Sequence, residues 1–200
     1  MTTVNHHADH PGFAGVSGLF IGLFMNVAGA AVARLAVDLA AVSETDRVVD
    51  VGCGPGTAVR HAARRGARAT GVDPAPAMLR LARTLTRGRP EITWAEGTAE
   101  QLPQPDGSAT VLWSIATVHH WRDVSAGLAE AHRVLRPGGR LLAIERSVRP
   151  GATGLASHGW TDRQAESFAA CCASAGFEAV RVEQHSPGRR VVAVVRAARP

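Results

Sequence analysis

A glycine-rich segment between two aspartates is the part of this chain best suited to bind a small polar ligand. Asp50 lies near the end of a β-branched run, and Gly52, Gly54 and Gly56 follow it immediately before a helical pattern. Glycines let the backbone turn sharply and let a ligand approach closer than any Cβ would permit. Asp73 ends the next apolar run, where a carboxylate can accept hydrogen bonds from two neighbouring hydroxyl groups of a ribose.

The spacing of the glycines argues against a dinucleotide phosphate loop. A dinucleotide-binding segment needs its third glycine one residue later, and that position is Thr57. The loop is therefore too tight to open toward a pyrophosphate at the helix N-terminus. The chain also lacks Tyr and Lys, the pair that short-chain dehydrogenases use. A nucleotide-dependent oxidoreductase remains an alternative with both of these observations against it.

Three histidines are the candidates for acid–base chemistry. His119 and His120 follow an apolar run that ends at Ser114, at the strand edge where open α/β sheets bind ligands. We expect the two rings to point in different directions, so that one orients or deprotonates the substrate while the other packs or caps. His158 lies in a glycine-containing loop that could cover the substrate or could simply be solvated.

The elements that must position these residues alternate between short β-branched runs and helical stretches, which predicts a parallel sheet covered by helices. The last two runs are joined by only Ser186-Pro187-Gly188 and must therefore pair as an antiparallel hairpin. The predicted strands are Arg47–Val51, Ala69–Asp73, Ile92–Glu96, Thr110–Ser114, Arg140–Ile144, Glu178–Gln184 and Arg190–Arg196, and the predicted helices are Thr57–Arg65, Pro76–Arg87, Val124–Leu135 and Asp162–Ala175.

Composition narrows the function classes. The chain has 200 residues, 46% of them hydrophobic, and a net charge of +5, which suits one globular domain. Its arginines are spread along the chain without runs or interleaved aromatics, so nucleic-acid binding is not expected. Three cysteines without metal-ligand spacing favour a reducing, cytoplasmic location and no metal site.

The N-terminal region is expected to form a flexible tail over 1–15 and a helical lid over 16–42. Residues 16–33 are nearly uncharged, but Asn26, Arg34 and Asp38 weaken the case for a membrane span, leaving peripheral membrane contact open. Phe20, Phe24 and Met25 share a helical face that could pack in the core or form the wall of an apolar substrate pocket.

The sequence resembles the class I methyltransferases, and within them the UbiE-like group that methylates small molecules. Five motifs carry the resemblance, in order and at matching distances. They are Val49-Asp50-Val51-Gly52-Cys53-Gly54-Pro55-Gly56, Gly71-Val72-Asp73-Pro74 with Met78-Leu79, Ala99-Glu100-Gln101-Leu102-Pro103, Val118-His119-His120-Trp121, and Val134-Leu135-Arg136-Pro137-Gly138-Gly139. The resemblance implies a three-layer αβα Rossmann-like fold whose seven strands have the order 3-2-1-4-5-7-6.

The resemblance also implies S-adenosylmethionine as cofactor, with S-adenosylhomocysteine as product. Asp50 and Gly52 would face its methionine portion, Asp73 its ribose, and Met78 its adenine ring. Thr98 stands where the family commonly has Asp, as Thr110 does at the start of the fourth strand. The remaining implied contacts are Cys53, Gly54, Gly56, Pro74, Thr98, Ala99, Ser114 and Ile115 for the cofactor and Trp121, with Phe20, Phe24 and Met25, for the substrate.

The expected activity is methyl transfer to a small apolar or aromatic acceptor by in-line displacement, with His119, His120 and His158 as candidate catalytic residues. Because the cofactor brings the reactive group, an obligatory catalytic residue is not required. A non-catalytic binding protein with the methyltransferase fold is the alternative from another class. The sequence around Ser114 lacks the Asn/Asp-Pro-Pro-aromatic motif of enzymes that methylate nucleic-acid amino groups. Neither the acceptor nor the oligomeric state can be read from the sequence.

Overall fold

One seven-stranded sheet forms the centre of the molecule. The computed structural model describes residues 4–5 and 29–200. The strand order is β3-β2-β1-β4-β5-β7-β6, parallel throughout except for the antiparallel pairs that β7 makes with β5 and β6. The strands are β1 (Arg47–Val51), β2 (Arg68–Asp73), β3 (Ile92–Glu96), β4 (Ala109–Ile115), β5 (Leu135–Arg146), β6 (Glu178–His185) and β7 (Val192–Ala198). The predicted topology and terminal hairpin are confirmed.

Helices cover both faces of the sheet, as alternating side chains on buried parallel strands require. Residues of α1, α2 and α3 pack with Val48, Val111 and Trp113 on one face. Residues of α4 and α5 pack with Val49 and Leu112 on the other face. The helices are α1 (Ala30–Leu39), α2 (Thr57–Arg64), α3 (Pro76–Leu85), α4 (Val124–Val134) and α5 (Asp162–Ser174).

β5 is longer than its β-branched run predicts. The run covers Arg140–Ile144, whereas the strand extends over Leu135–Arg146 and begins directly after α4. Its first residues include Pro137 and two glycines, which are typical of a loop. Ala109 pairs with Leu135 and Val111 with Arg140, so a register shift absorbs the extra residues. Backbone pairing with β4 and with the C-terminal residues holds this irregular segment extended.

Part of the expected N-terminal lid packs within a helix layer. α1 buries Val32, Ala33, Ala36 and Val37 and contacts α2. Residues 16–28, including Phe20, Phe24 and Met25, lie outside the described residues, as do 1–3 and 6–15. Within the described part of the chain, no helix is long and apolar enough to cross a membrane.

Thr110 has a structural role that explains why an uncommon residue stands at the start of β4. Its hydroxyl donates to Asp46 Oδ1 at 2.6 Å and accepts the Arg47 N–H at 2.9 Å. Asp46 also accepts from the Ser43 N–H at 2.8 Å and pairs with Arg140. Burial raises the pKa of Asp46, but these partners outweigh it and hold the pKa below its ordinary value. Thr110 thus ties β1 to β4 at the edge opposite the glycine-rich segment.

The N-terminus of α5 offers a test of the local folding signals. The Thr161 hydroxyl accepts from the Gln164 N–H, and the Gln164 side chain accepts from the Thr161 N–H at 2.9 Å. We expect Thr161→Ala to lower the free energy of unfolding by about 1 kcal/mol, because the Gln164 N–H loses its side-chain acceptor. Urea denaturation measures the change. Ser167→Ala, inside the same helix, is the matched control and should change stability by less than about 0.5 kcal/mol.

Candidate active site

The three glycines of the β1–α2 loop all have left-handed backbone conformations. Their φ angles are +73° at Gly52, +51° at Gly54 and +78° at Gly56. An added Cβ would lie 2.6 Å from Thr117 at Gly52 and 2.0 Å from Trp94 at Gly56, whereas at Gly54 it would meet nothing within 4 Å. A side chain at Gly52 or Gly56 would collide with these neighbours. At Gly54 a side chain has space, and glycine is favoured there by the left-handed backbone conformation. The open side of the loop is therefore at Gly54, where a ligand can approach the backbone.

Trp94 supports the loop from behind, a role that sequence reasoning missed. Trp94 pairs with Gly71 in the sheet, and a Cβ on Gly71 would lie 2.3 Å from the Trp94 ring. The indole N–H donates to the Thr86 hydroxyl at 3.1 Å, which fixes the ring orientation. The signal available in the sequence was the pair of small residues, Gly56 and Gly71, that leaves room for a large neighbour.

Asp73 bridges the loop and the end of β2. Its Oδ2 accepts the Gly54 N–H at 2.8 Å and its Oδ1 accepts the Ala75 N–H at 2.9 Å. Burial raises the pKa of this carboxyl, and the two backbone donors oppose the rise without cancelling it. Each carboxylate oxygen retains acceptor capacity beyond one hydrogen bond. Asp73 can therefore shape the loop and still accept ligand hydroxyls.

Asp50 is the more strongly perturbed carboxyl. It is 3% exposed, and burial together with the charge of Asp73 raises its pKa to about 8. Burial also raises the pKa of the Cys53 thiol well above its ordinary value, with the two carboxylates adding to the effect. Cys53 is therefore a packed thiol and not a nucleophile. Asp50 and Asp73 are thus both buried beside the loop. Burial disfavours the ionised form of each carboxyl.

The remaining cofactor positions occupy the same edge of the sheet. The Gly97 N–H donates to the Asp73 carbonyl at 3.4 Å, which brings the segment with Thr98 and Ala99 beside the end of β2. Ser114 bonds to the Thr117 hydroxyl, which donates to the Val51 carbonyl at 3.0 Å. Met78 and Ala99 are buried, Ile115 is half-buried, and Pro74 and Thr98 are exposed. Their individual contacts with a cofactor stay predictions.

The three candidate histidines lie together, beside the ends of β4 and β5. The ring centroids are 4.1 Å apart for His119 and His120, 5.4 Å for His119 and His158, and 5.6 Å for His120 and His158. The two adjacent rings were expected to diverge, but the short 3₁₀ turn at Val118–His120 keeps them close. Glu145, which sequence reasoning missed, accepts from His119 Nδ1 at 2.9 Å.

The loop that carries His158 is fixed to the end of β5. Arg146 Nε donates to the His158 carbonyl at 3.0 Å, and the Trp160 N–H donates to the Arg146 carbonyl at 2.8 Å. Gly159 has a φ of +142°, and a Cβ there would lie 2.1 Å from the Arg146 carbonyl oxygen. Trp160 is fully buried and donates to the Val4 carbonyl at 3.1 Å. These contacts hold the loop that carries His158 against the end of β5.

Trp121 does not have the surroundings expected of a substrate wall. Its indole is 6% exposed and packs edge-on against Phe168, with ring centroids 6.2 Å apart. A Cβ on Gly127 would lie 2.6 Å from the same ring. The packing accounts for Trp121 as part of the core beneath α4 and α5. The other expected substrate residues, Phe20, Phe24 and Met25, lie outside the described residues.

A cleft lies at the opposite edge of the sheet. It is lined by residues at the start of β1, β2 and β3, among them Arg47, Arg68 and Thr93. Open α/β sheets bind ligands at the carboxyl ends of their strands. We therefore place the site at the glycine-rich loop and the histidine cluster, where the two carboxyls with raised pKa values and the three imidazoles are found.

Known proteins share both the sequence motifs and the fold. Residues 49–143 match the family model of a methyltransferase domain. A demethylmenaquinone methyltransferase of Tropheryma whipplei is 38% identical over 57% of this chain and 47% of its own length. The ubiquinone/menaquinone biosynthesis C-methyltransferase UbiE of Rubrivivax gelatinosus is 35% identical over 58% and 45%. The chain thus spans about half the length of these relatives.

A solved structure extends the similarity to nearly the whole chain. A SAM-dependent methyltransferase from Aquifex aeolicus superposes with a TM-score of 0.76 at 16% identity, covering 93% of this chain and 100% of the other. At that identity the likeness concerns the fold, while the motif similarity comes from the matches to the methyltransferase domain. Fold, glycine loop and sequence matches agree: residues 49–143 form a methyltransferase domain, and the chain is similar to the class I S-adenosylmethionine-dependent methyltransferases of the UbiE-like group.

Proposed function

We propose that this chain binds S-adenosylmethionine at the β1–α2 loop and transfers its methyl group to a small apolar or aromatic acceptor. The observation that carries the proposal is the pair of buried carboxyls beside the open face of Gly54. S-adenosylmethionine brings a sulfonium and an ammonium group and no phosphate. A cationic ligand favours the ionised carboxylates that burial disfavours.

We assign the parts of the cofactor to the residues that the family resemblance suggested. Asp73 is the candidate acceptor for the ribose hydroxyls, since its oxygens lie at the loop and keep acceptor capacity. Asp50 and Gly52 would face the methionine portion, and Met78 with Thr98 and Ala99 the adenine. Trp94 contributes by holding Gly56 and Gly71 in place and makes no proposed contact with the cofactor.

Methyl transfer needs little chemistry from the protein. The acceptor atom attacks the methyl carbon in line, the carbon–sulfur bond breaks, and S-adenosylhomocysteine leaves. Holding both reactants in line can supply about 7 to 11 kcal/mol of the barrier reduction. His119, His120 and His158 lie on the acceptor side in this proposal, where an imidazole can orient the acceptor or take its proton.

The proposed acceptor class is supported by the names of the related proteins and not by a pocket that the structure defines. Proteins named for demethylmenaquinone and ubiquinone/menaquinone biosynthesis support an apolar or aromatic acceptor. A soluble short-chain quinol and a panel of phenols and catechols are suitable first acceptors, with formation of S-adenosylhomocysteine as the readout. Saturable cofactor binding without turnover on any acceptor would favour the alternative, a binding protein with this fold.

Asp73→Ala should weaken S-adenosylmethionine binding roughly ten- to a hundredfold, because hydrogen bonds to a charged group contribute about 1.5 to 3 kcal/mol each. Isothermal titration measures the change. Asp73→Asn, which keeps the size and one acceptor oxygen, should lose less affinity. Single alanine variants of the three histidines should bind the cofactor within about twofold of the unaltered protein, since they lie on the acceptor side.

Two results would contradict this assignment. Asp73→Ala protein that binds the cofactor as tightly as the unaltered chain would show that the ribose lies elsewhere. Saturable binding of NAD with no response to S-adenosylhomocysteine would exclude the proposed cofactor altogether. Circular dichroism of each variant separates a lost contact from a lost fold.

Asp50 should make the ligand-free protein less stable as the pH rises from 6 to 8. Its pKa is about 8 in the folded chain and near 3.8 in the unfolded chain, so over most of this window the carboxyl is ionised in the unfolded form and protonated in the folded form. Stability should fall by at most about 1.4 kcal/mol per pH unit from this group. Asp50→Asn should remove that slope in urea denaturation at pH 6, 7 and 8. Equal slopes in the two proteins would mean that Asp50 ionises normally.

A further inference from the structure

We propose that His119, His120 and His158 form a binding site for a divalent transition-metal ion of the Zn²⁺ class, with Glu145 orienting one of the ligands. The site goes beyond the proposed methyl transfer and is tested independently of it. Sequence spacing gave no sign of it, because His158 is distant in the chain from the other two.

The geometry of the cluster is close to that of a metal centre. One nitrogen from each imidazole can be chosen so that the three lie within 4.8 Å of one another. Zinc–nitrogen bonds of about 2.0 to 2.1 Å at tetrahedral angles place ligand nitrogens about 3.3 Å apart. Closing that difference requires the imidazoles to move together by up to about 1.5 Å, and the His120 and His158 side chains are only half-buried. Within residues 4–5 and 29–200, this is the group of His, Cys, Asp or Glu side chains that meets the distance requirement.

Glu145 supplies the independent observation. Its side chain is completely buried on β5, and its Oε2 accepts from His119 Nδ1 at 2.9 Å. Its Oε1 has no hydrogen-bond partner among the described residues. A carboxylate that accepts from one ring nitrogen fixes the orientation and tautomer of a histidine whose other nitrogen binds a metal. Burying an acidic group costs free energy unless its partners compensate for it, which favours a functional role for Glu145 at this position.

Rigid elements position all four side chains. His119 and His120 lie on the 3₁₀ turn after β4, Glu145 lies within β5, and Arg146 holds the His158 carbonyl. At Gly159 a side chain would collide with the Arg146 carbonyl oxygen. The backbone that carries the ligands is therefore in place before a metal arrives, and the side chains alone need to reorient on binding.

The donor set selects the metal and leaves room for a further ligand. Three imidazoles suit Zn²⁺ or Co²⁺, whereas Mg²⁺ and Ca²⁺ prefer oxygen ligands. Three protein ligands leave a fourth position open in a tetrahedral site. His120 and His158 are half-buried, so that position is accessible to water or to an anionic oxygen of a small molecule. If methyl transfer occurs as proposed, an oxygen atom of the acceptor is the ligand that fits this position.

Cobalt titration tests the site directly. The chain carries His6, His7 and His10, so all three are changed to Ala to remove competing imidazoles. Addition of Co²⁺ should produce visible absorption bands that saturate at one equivalent and disappear on addition of Zn²⁺. Because imidazoles are the ligands, no intense thiolate-to-cobalt band should appear in the near ultraviolet.

Variants of this background identify the ligands. His120→Ala and His158→Ala should each weaken Co²⁺ binding at least tenfold. Glu145→Gln, which keeps the shape of the side chain, should weaken it about 10- to 100-fold. His185→Ala is the matched control, since its ring pairs with Glu183 on the terminal hairpin, and it should bind Co²⁺ normally.

The proposal is overturned if the background protein shows no saturable cobalt spectrum, or if the spectrum survives in the His120→Ala/His158→Ala double variant. Thermal unfolding checks that each variant is folded, and titration with S-adenosylhomocysteine checks the cofactor loop separately. Normal cofactor binding without a cobalt spectrum would contradict the metal site alone. A cobalt spectrum without cofactor binding would contradict the proposed function and leave the metal site standing.

Discussion

The burial of two carboxyls beside a glycine-rich loop is the constraint on which the rest of the site depends. Asp50 and Asp73 lie at the ends of adjacent parallel strands, and the sheet register brings them to one edge. Asp73 uses its oxygens to hold Gly54 and Ala75, so the loop conformation and the acidic charge have a common origin. The arrangement is unfavourable in the empty protein and becomes favourable with a cationic ligand.

The second half of the site follows from the neighbouring strands. β4 and β5 pair in parallel, so the residues after their carboxyl ends meet at one edge. The Thr117 hydroxyl connects that edge to the glycine loop through the Val51 carbonyl. Two residues further on, the imidazoles of His119 and His120 meet the loop that carries His158. A ligand bound at the glycine loop is thus adjacent to groups that can bind protons or a metal.

Sequence reasoning predicts the parts of this architecture that depend on local pattern. The β1 and β3 boundaries match the predicted runs, and α5 begins at Asp162 as predicted. The strand order, by contrast, came from the family resemblance, because β-branched runs do not specify which strands are neighbours. β5 exceeds its predicted length because backbone pairing overrides the local preference of Pro137 and the glycines beside it.

The features that could not be predicted depend on contacts between distant residues. Trp94 is recognisable as the support of the loop only when Gly56 and Gly71 are seen beneath its ring. The pairing of Glu145 with His119 depends on the β4–β5 register, and Trp121 became part of the core through Phe168 and Gly127. In each case the residue type suggested several uses, and the tertiary packing selected one.

The central claim is that the loop keeps Asp50 protonated until a cationic cofactor binds. Calorimetric titration with S-adenosylmethionine at pH 7, repeated in buffers of different ionisation enthalpy, measures the protons exchanged on binding. The account predicts release of up to one proton per cofactor bound, a release that Asp50→Asn abolishes while binding persists. Binding with no proton release, or with the same release in Asp50→Asn, would contradict it.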